Sequence, residues 1–541
     1  MPYVVTQACC ADASCVWACP VNCIHPAPGE PGFGTAEMVH IDPQSCVDCG
    51  ACTSACPVGA IKPEAKLTDA ELPFRELNAD YFAAEPHADR APLAVVPPQR
   101  RLPAGSRVRV AVVGAGPAAM YAADELLRHE GVSVDVFDRL PTPYGLVRAG
   151  VAPDHPNTRQ VTRLFRTIED RPGFGYRLNV EVGRDVDHDE LRRHYHGVIY
   201  AVGAAADRSL GIPGEELPGS VSATAVVGWY NGHPDHQDTY VDLGSGRVVV
   251  VGNGNVALDV ARILTADPGE LAGTDIADLP LATLRGSRVR EVVLLGRRGP
   301  AQAAFTVPEL LGLLSRPGVE VVVDNGGEPI EVVDTRTRLL ASLPEVGGED
   351  EGPPPGRRRI VLGFRSAPVR VLGGDSVAGL EVARTELHQE DGDLVARRTD
   401  QTGVIATPMV IRSVGYRGRP VPGLPFDEAR GMVPHDHGRV QPGTYVAGWI
   451  KRGPTGFIGT NKTCAAETVS SLLEDVDRGG LAEPQGSAAD FADLLRSRSS
   501  DVVDLEGWRA IDALERSSAS ASGRPRVKLV ERDELVRVAR C

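Results

Sequence analysis

Between Cys46 and Pro57 the chain reads CVDCGACTSACP, four thiols at the spacing C-x2-C-x2-C-x3-C-P. That spacing constrains the backbone severely. Two-residue gaps wrap the chain round one side of a small inorganic cage, and the longer gap before proline turns it away. Cys9 to Pro20 reads CCADASCVWACP. Laid proline on proline, Cys9, Cys15 and Cys19 fall on thiols, and Asp12 holds the remaining position. Nine of the eleven cysteines lie between Cys9 and Cys56. In a secreted mini-domain such density signals disulfides. Here the N-terminus carries no cationic, apolar leader, so the thiols point to metal or cluster ligation.

In doubled runs the last cysteine of each run serves the other cluster. Cys46, Cys49, Cys52 and Cys19 are therefore assigned to one [4Fe–4S] cluster. Cys9, Cys15 and Cys56 are assigned to a second, with Asp12 in the place of its fourth ligand. This pattern resembles the bacterial ferredoxins, whose two halves are an internal repeat. The resemblance implies a second cluster that is either [3Fe–4S] or a [4Fe–4S] whose exchangeable iron Asp12 ligates. Zinc on four thiols is the rival chemistry. Cys10 is the alternative to Cys9, although the repeat register favours Cys9. Cys23 reads as a packed free thiol, Cys464 as a small core side chain and Cys541 as a tail residue. Residues 1–60 hold five acids and no Lys or Arg, an acidic body suited to docking on a basic face.

Two later stretches have the dinucleotide fingerprint. RVRVAVVGAGPAAMYAADELL from Arg107 is an apolar strand, a glycine turn and a helical pattern. Gly114 permits the tight turn, and Gly116 lets the backbone approach a pyrophosphate at a helix N-terminus. Asp138 ends the next strand and suits a ribose hydroxyl. RVVVVGNGNVALDVARIL from Arg247 repeats the pattern at Gly252 and Gly254. After its following strand stand Arg297 and Arg298, where a NAD site would place an acid. Paired guanidinium groups suit a 2′-phosphate, so this half should prefer NADP(H). Two dinucleotides beside iron–sulfur chemistry imply FAD and a nicotinamide, since a flavin links two-electron to one-electron transfer.

The segments GLVRAGVAPDHPNTR, IPGEELPG, GNGNVALDVARIL, GRRGPAQAAFTVPEL and GWIKRGPTGFIG closely resemble the adrenodoxin reductase family of ferredoxin–NADP+ reductases. With the N-terminal run, the whole resembles the ferredoxin-fused reductases of actinobacteria. The resemblance implies that Ala118, Asp138, Leu146 and Val182 line FAD. It implies that Asn253, Gly254, Asn255 and Val256 hold the NADP pyrophosphate region, with Arg297 and Arg298 on the 2′-phosphate. Glu309 lies near the nicotinamide, Trp449, Gly456, Phe457 and Ile458 return to the flavin, and His155 is a polar group near the isoalloxazine. His155 and Glu309 are thus the candidates for a catalytic role.

The expected fold is an α+β ferredoxin-like domain over 1–65 and a Pro/Ala-rich linker over 66–106, with a short helix near Asp69–Asn78. An α/β reductase of two Rossmann-type, three-layer units follows. FAD-binding segments over 107–215 and 411–541 flank an inserted NADP-binding domain over 216–410. Gly347–Arg359 reads as a loop, and SSASASGRPR near the C-terminus as a flexible joint. The net charge of −15 argues against a nucleic-acid binder, and no apolar run reaches membrane-span length. A cytoplasmic protein is expected. The expected function is NADPH:ferredoxin oxidoreduction, with NADPH and a separate ferredoxin or a cytochrome P450-type acceptor as partners. The alternatives are a small-subunit-type glutamate synthase electron donor and a non-enzymatic iron–sulfur sensor or carrier.

Overall fold

The structure is a computed structural model that describes residues 2–540 except 95–99, 101, 104, 347–351, 355, 391, 500 and 521. The tail cysteine Cys541 and parts of the tether and of the Gly347–Arg359 loop lie outside the described residues.

The thiol runs fold as a true repeat. Short helices at Ser14–Ala18 and Ala51–Ala55 each follow two left-handed residues, Ala11 and Ala13 in one half, Asp48 and Gly50 in the other. Each helix ends at its last cysteine in extended backbone, Cys19 at φ −76° and ψ 117°, Cys56 at φ −77° and ψ 115°. Strands Tyr3–Val5 and Ile61–Pro63 pair antiparallel, as do Ile24–His25 and His40–Ile41. Left-handed turns with non-glycine residues are uncommon. Their recurrence at matched positions marks a backbone shaped around something.

Residues 66–84 are not a linker. Helix Pro73–Ala84 packs back on the N-terminal body. Its Asn78, 2% exposed, accepts from Val5 N and Ile41 N and donates to Val5 O. One side chain thus joins two small sheets, and Arg90 adds an ion pair to Asp42. Composition suggested a tether because the segment is rich in Ala and Pro. The buried amide overrides that reading.

Beyond it stand two large sheets. The first runs in the order Arg439–Gln441, Thr444–Val446, Gly197–Tyr200, Val108–Val113, Val132–Asp138, Phe174–Leu178. The second runs Ser220–Ser222, Val410–Arg412, Arg247–Val251, Glu291–Leu295, Arg358–Gly363, Val319–Asp324, and all its pairings are parallel. Parallel strands are covered on both faces, which is why VVVV and VVLL runs build them. Separate apolar clusters do cover both faces of each sheet. The chain leaves the second sheet after Arg412, so the strand Val410–Arg412 belongs to the insert and the return comes later than residue 411. Antiparallel strands at Ala206–Asp207 and Tyr416–Arg417 mark where the chain crosses out and back. The added strands Ser366–Gly373, Val377–Glu390 and Asp393–Ala406 form an antiparallel sheet.

The C-terminal segment is also firmly held, contrary to the expected joint. Glu515, fully buried, receives both guanidinium nitrogens of Arg148 and one of Arg526. Lys528 pairs with Asp275 of the inserted domain at 3.3 Å. A Ser-, Gly- and Arg-rich stretch looks like a linker by composition, but Arg526 is anchored on the buried Glu515 and Arg524 pairs with the exposed Asp278.

Asn78→Ala leaves three backbone groups of the small sheets without partners. It should destabilise the N-terminal body by about 2–4 kcal/mol. Denaturant unfolding followed by circular dichroism checks this, and an unshifted first transition contradicts it.

Candidate redox site

The thiols sort into two pockets, and the sorting crosses the repeat. Burial pushes the Cys15 thiol well up, and Cys9, Asp12 and Cys56, with Cys52 the weakest, push the same way. Burial likewise lifts Cys52 to about 12, with Cys46, Cys19 and Cys49 as its charged neighbours. Cys56 from the second run thus joins the first pocket, and Cys19 from the first run joins the second. Cys19, Cys46, Cys49 and Cys52 line one small cavity together with Tyr3 and Cys23. So many donors at close quarters stay protonated unless a cationic core sits among them. The donor sets fit iron–sulfur clusters.

Among the described residues three thiols fall outside the eight-donor pattern. Cys23 is buried, and its Sγ lies 3.4 Å from that of Cys19. The contact with Cys23 shifts the Cys19 thiol downward. Cys10 is buried in the apolar core beneath the first large sheet, beside Asp12, Cys9 and Cys56. Cys464 is a buried core residue whose sulfur accepts from Gly448 N.

The glycine turns leave room where a phosphate would come. A Cβ on Gly114, at φ 101°, would strike the Ala201 carbonyl. A Cβ on Gly116 would meet nothing within 4 Å, and the helix Pro117–Leu126 starts there with proline in its first turn. The second turn repeats this. Gly252 at φ 120° presses on Ser413, while Gly254 faces open space before the helix Asn255–Thr265. Both arrangements are helix N-termini whose N–H groups face outward, at the carboxyl ends of parallel strands. They fit dinucleotides.

Asp138 lies against the first turn. Its Oδ2 accepts from Ala115 N at 2.8 Å and its Oδ1 from Leu140 N at 2.9 Å. Leu146 is 41% exposed, an apolar side chain turned to the cleft mouth, and Gly145 presses on Gly116. Ala118 meets Gly448 so closely that only glycine fits there. Trp449 follows, its Nε1 donating to Thr455 O at 3.2 Å and its ring tilted on Tyr416. Phe457 N is held by Thr460 Oγ1, and Ile458 packs on the core under the first sheet. Val182 is bridged to Val186 in the turn after the last strand of that sheet. In the second unit Asn253 and Asn255 accept from Ala304 N and Thr306 N. Val256 packs on the core beneath the second sheet. Arg297 and Arg298 are exposed, and no side-chain ion pair engages either among the described residues.

His155 and Glu309 do meet, at 3.9 Å, across the junction of the two large units. Arg262, 3% exposed in its side chain, organises the place. It binds Asp154 through two nitrogens, Asp259 at 2.6 Å and Glu309 at 3.6 Å. Burial favours the neutral form of Asp154, but the Arg262 charge outweighs it and holds the carboxyl down at about 2. Asp259 is raised: burial, with Glu309 and Asp154 nearby, outweighs the relief that the Arg262 and His155 charges give it.

Sequence reasoning missed the contacts that assemble these pieces. Gly459 N donates to Cys10 O at 2.7 Å, and a Cβ on Gly459 would collide with the Asp12 backbone. Cys9 and Cys56 pack on the same core as Ile458. Gln7 Nε2 donates to Glu309 at 3.2 Å, and Gly312 has no side chain where Gln7 lies. Glu37 accepts from Val307 N at 2.8 Å and pairs with Arg336 at 2.9 Å. The one available signal was the absence of cations in residues 1–60, which implied a basic partner face. Arg336, Arg338 and Lys462 supply it.

Comparison with known proteins agrees with this geometry. Residues 108–270 match the pyridine nucleotide-disulphide oxidoreductase family, and residues 39–62 match the 4Fe-4S binding domain family. The M. tuberculosis structure titled FprA in complex with NADPH superposes with a TM-score of 0.75 at 43% identity, covering 81% of this chain and all of that one. The NADPH-ferredoxin reductase FprA of Mycobacterium tuberculosis is 44% identical over 79% of this chain and 98% of its own. A probable ferredoxin/ferredoxin–NADP reductase of Mycobacterium leprae is 51% identical over all of this chain and 98% of its own length. At that identity over its full length, with both halves of the site accounted for, the chain belongs to the ferredoxin/ferredoxin–NADP reductase family.

Proposed function

We propose that this chain is an NADPH:ferredoxin oxidoreductase that carries its own ferredoxin, exchanging electrons among NADP(H), FAD and iron–sulfur clusters. The observation that carries this reading is the seat of the first thiol pocket on the Gly459 loop, directly beyond Gly456, Phe457 and Ile458. When bound, a flavin supplies the step between two-electron nicotinamide chemistry and one-electron cluster chemistry.

Each part of the chain has a task in this account. Residues 107–215 and 413–541 form the FAD unit, and 216–412 the NADP unit. The Gly114–Gly116 turn and Asp138 hold the FAD pyrophosphate and ribose, while Ala118, Leu146, Val182, Trp449 and residues 456–458 wall its cleft. The Gly252–Gly254 turn, with Asn253, Asn255 and Val256, holds the NADP pyrophosphate. Arg297 and Arg298, exposed and without ion-pair partners among the described residues, clasp its 2′-phosphate. Glu309 and His155, fixed around Arg262, orient the nicotinamide end and exclude water, since the transfer depends on alignment.

The first pocket, Cys9, Asp12, Cys15 and Cys56, faces the flavin side. The second, Cys19, Cys46, Cys49 and Cys52, faces outward, with Cys49 and Val47 exposed. With a cluster held there, the second pocket would be the exit toward a separate ferredoxin or a cytochrome P450-type acceptor. Cys9 rather than Cys10 is the first-pocket ligand, because the repeat register sets Cys9 against Cys46. Asp12 is engaged by protein donors, which supports [3Fe–4S] in the first pocket and [4Fe–4S] in the second. Full-length similarity to the fused reductases favours this reading over a glutamate synthase subunit or a sensor. Among the described residues no helix is long and apolar enough to cross a membrane.

Two experiments test the reading. Gly459→Val places a side chain against the Asp12 backbone. It should retain NADPH-driven ferricyanide reduction while slowing cluster reduction by about a hundredfold, the scale on which ångström misplacements act. Stopped-flow absorbance that shows clusters reduced at the unaltered rate contradicts the seat. Arg297→Ala with Arg298→Ala should raise KM for NADPH by about ten- to a hundredfold, the worth of charge-assisted bonds to a phosphate. KM for NADH should barely move, and equal effects on both nucleotides contradict the assignment.

A further inference from the structure

The electron path does not require the strongest polar contact between the ferredoxin body and the reductase at the first pocket. Asp12, 8% exposed, points its carboxylate toward the reductase. Its Oδ1 accepts from Ser14 N at 3.2 Å and its Oδ2 from Ser14 Oγ at 2.6 Å. The ammonium of Lys462 stands 3.4 Å from the same Oδ2 and donates to Ser14 Oγ at 2.6 Å. Lys462 lies in the first turn of the helix Thr460–Asp477, and the Gly459–Cys10 hydrogen bond fixes that turn against the pocket. A cation from the reductase therefore reaches into the donor set of the ferredoxin.

A carboxylate offers about four lone-pair positions, and here three donors occupy it. One position on Oδ1 stays open, and a ferrous ion taking it brings two positive charges toward an ammonium already there. The two cations compete for one carboxylate, and burial strengthens their mutual repulsion.

We propose that Lys462 withholds Asp12 from iron, so that the seated ferredoxin body keeps its first cluster in the three-iron form. Loss of the contact lets Asp12 take a fourth, ferrous ion. The inference rests on the reading of Asp12 as the odd donor of the first cluster. The uptake step balances without an oxidant. A [3Fe–4S] cage reduced by one electron, which NADPH supplies through the flavin, is neutral. Binding Fe2+ then gives [4Fe–4S]2+ with no further electron moved. The Asp12 carboxylate replaces a water on the incoming iron, and Lys462 keeps its proton. Lys462 is thereby a determinant of metal content, and docking and cluster composition become one equilibrium.

The test uses the full-length protein isolated anaerobically and reduced with dithionite, with ferrous ion added stepwise. Electron paramagnetic resonance of the three-iron cage and bound iron per chain are the readouts. Lys462→Met should convert at a ferrous concentration about tenfold below that of the unaltered protein, as expected for release of one charge-assisted hydrogen bond. Ser14→Ala should shift the same way, and Lys462→Arg should behave as the unaltered chain. Asp12→Asn should resist conversion. Conversion of Lys462→Met at the unaltered concentration overturns the role of Lys462 while leaving the cluster reading intact. If Lys462→Met loses its flavin, Ser14→Ala decides by the same criterion. An unaltered protein that never shows a three-iron signal overturns the cluster reading, and the proposal falls with it.

Discussion

Everything about this molecule depends on a close approach of two backbones. Gly459 has no side chain because the Asp12 and Ala11 backbone lies where one would be. The approach allows Gly459 N to reach Cys10 O, and that bond sets Cys9 and Cys56 against the core shared with Ile458. Iron–sulfur ligation on one side and a dinucleotide cleft on the other would be separate devices without it. A glycine at the first residue of a helix N-terminus serves the contact well, since the helix begins immediately and its first turn carries Lys462.

The same interface meets the second dinucleotide unit. Glu37 accepts from the first N–H of helix Val307–Leu314, and Gln7 reaches Glu309 in its first turn. A carboxylate at a helix N-terminus interacts favourably with the helix dipole, and Arg336 adds a second cation. Glu309 in turn faces His155 and Arg262, so three units of the chain converge on one side chain. The buried Arg262 is stable there because Asp154 and Asp259 neutralise it, and the C-terminal segment ties the large units together with Arg148, Glu515, Arg526 and Lys528. Buried pairs of this kind are weak sources of net stability but strongly penalise misplacement, since removing one partner strands a charge. They define one arrangement of the units.

Much of this was legible in the amino-acid order, where one residue type alone satisfies a local demand. Thiol spacing specifies the crossed pockets because ligation leaves little backbone freedom, and the paired turns at Ala13 and Gly50 follow. Gly114 and Gly252 were legible because close backbone approach excludes a side chain, and Gly116 and Gly254 because the fingerprint keeps their space for a pyrophosphate. Arg297 and Arg298 stood out because cations replaced an expected acid. What stayed hidden depends on partners hundreds of residues apart, which leave no local period. Lys462 looks like any helical lysine, and Gln7 like any surface amide. A short helix near Asp69–Asn78 was expected, but the attachment of the helix Pro73–Ala84 stayed hidden because it rests on Asn78, one buried amide in an Ala-rich run. Arg524 and Arg526 passed for a joint because their partners, Asp278, Asp512 and Glu515, are read only in space.

The central claim is an order in space: flavin cleft, first pocket, second pocket, solvent. Rapid freeze-quench electron paramagnetic resonance of the holoprotein mixed anaerobically with NADPH tests it most directly. The account predicts that the cluster held by Cys9, Cys15 and Cys56 changes first, with the cluster held by Cys19, Cys46, Cys49 and Cys52 following. Reduction of the outer cluster ahead of the inner one, or flavin reduction with neither cluster responding during turnover, would contradict it.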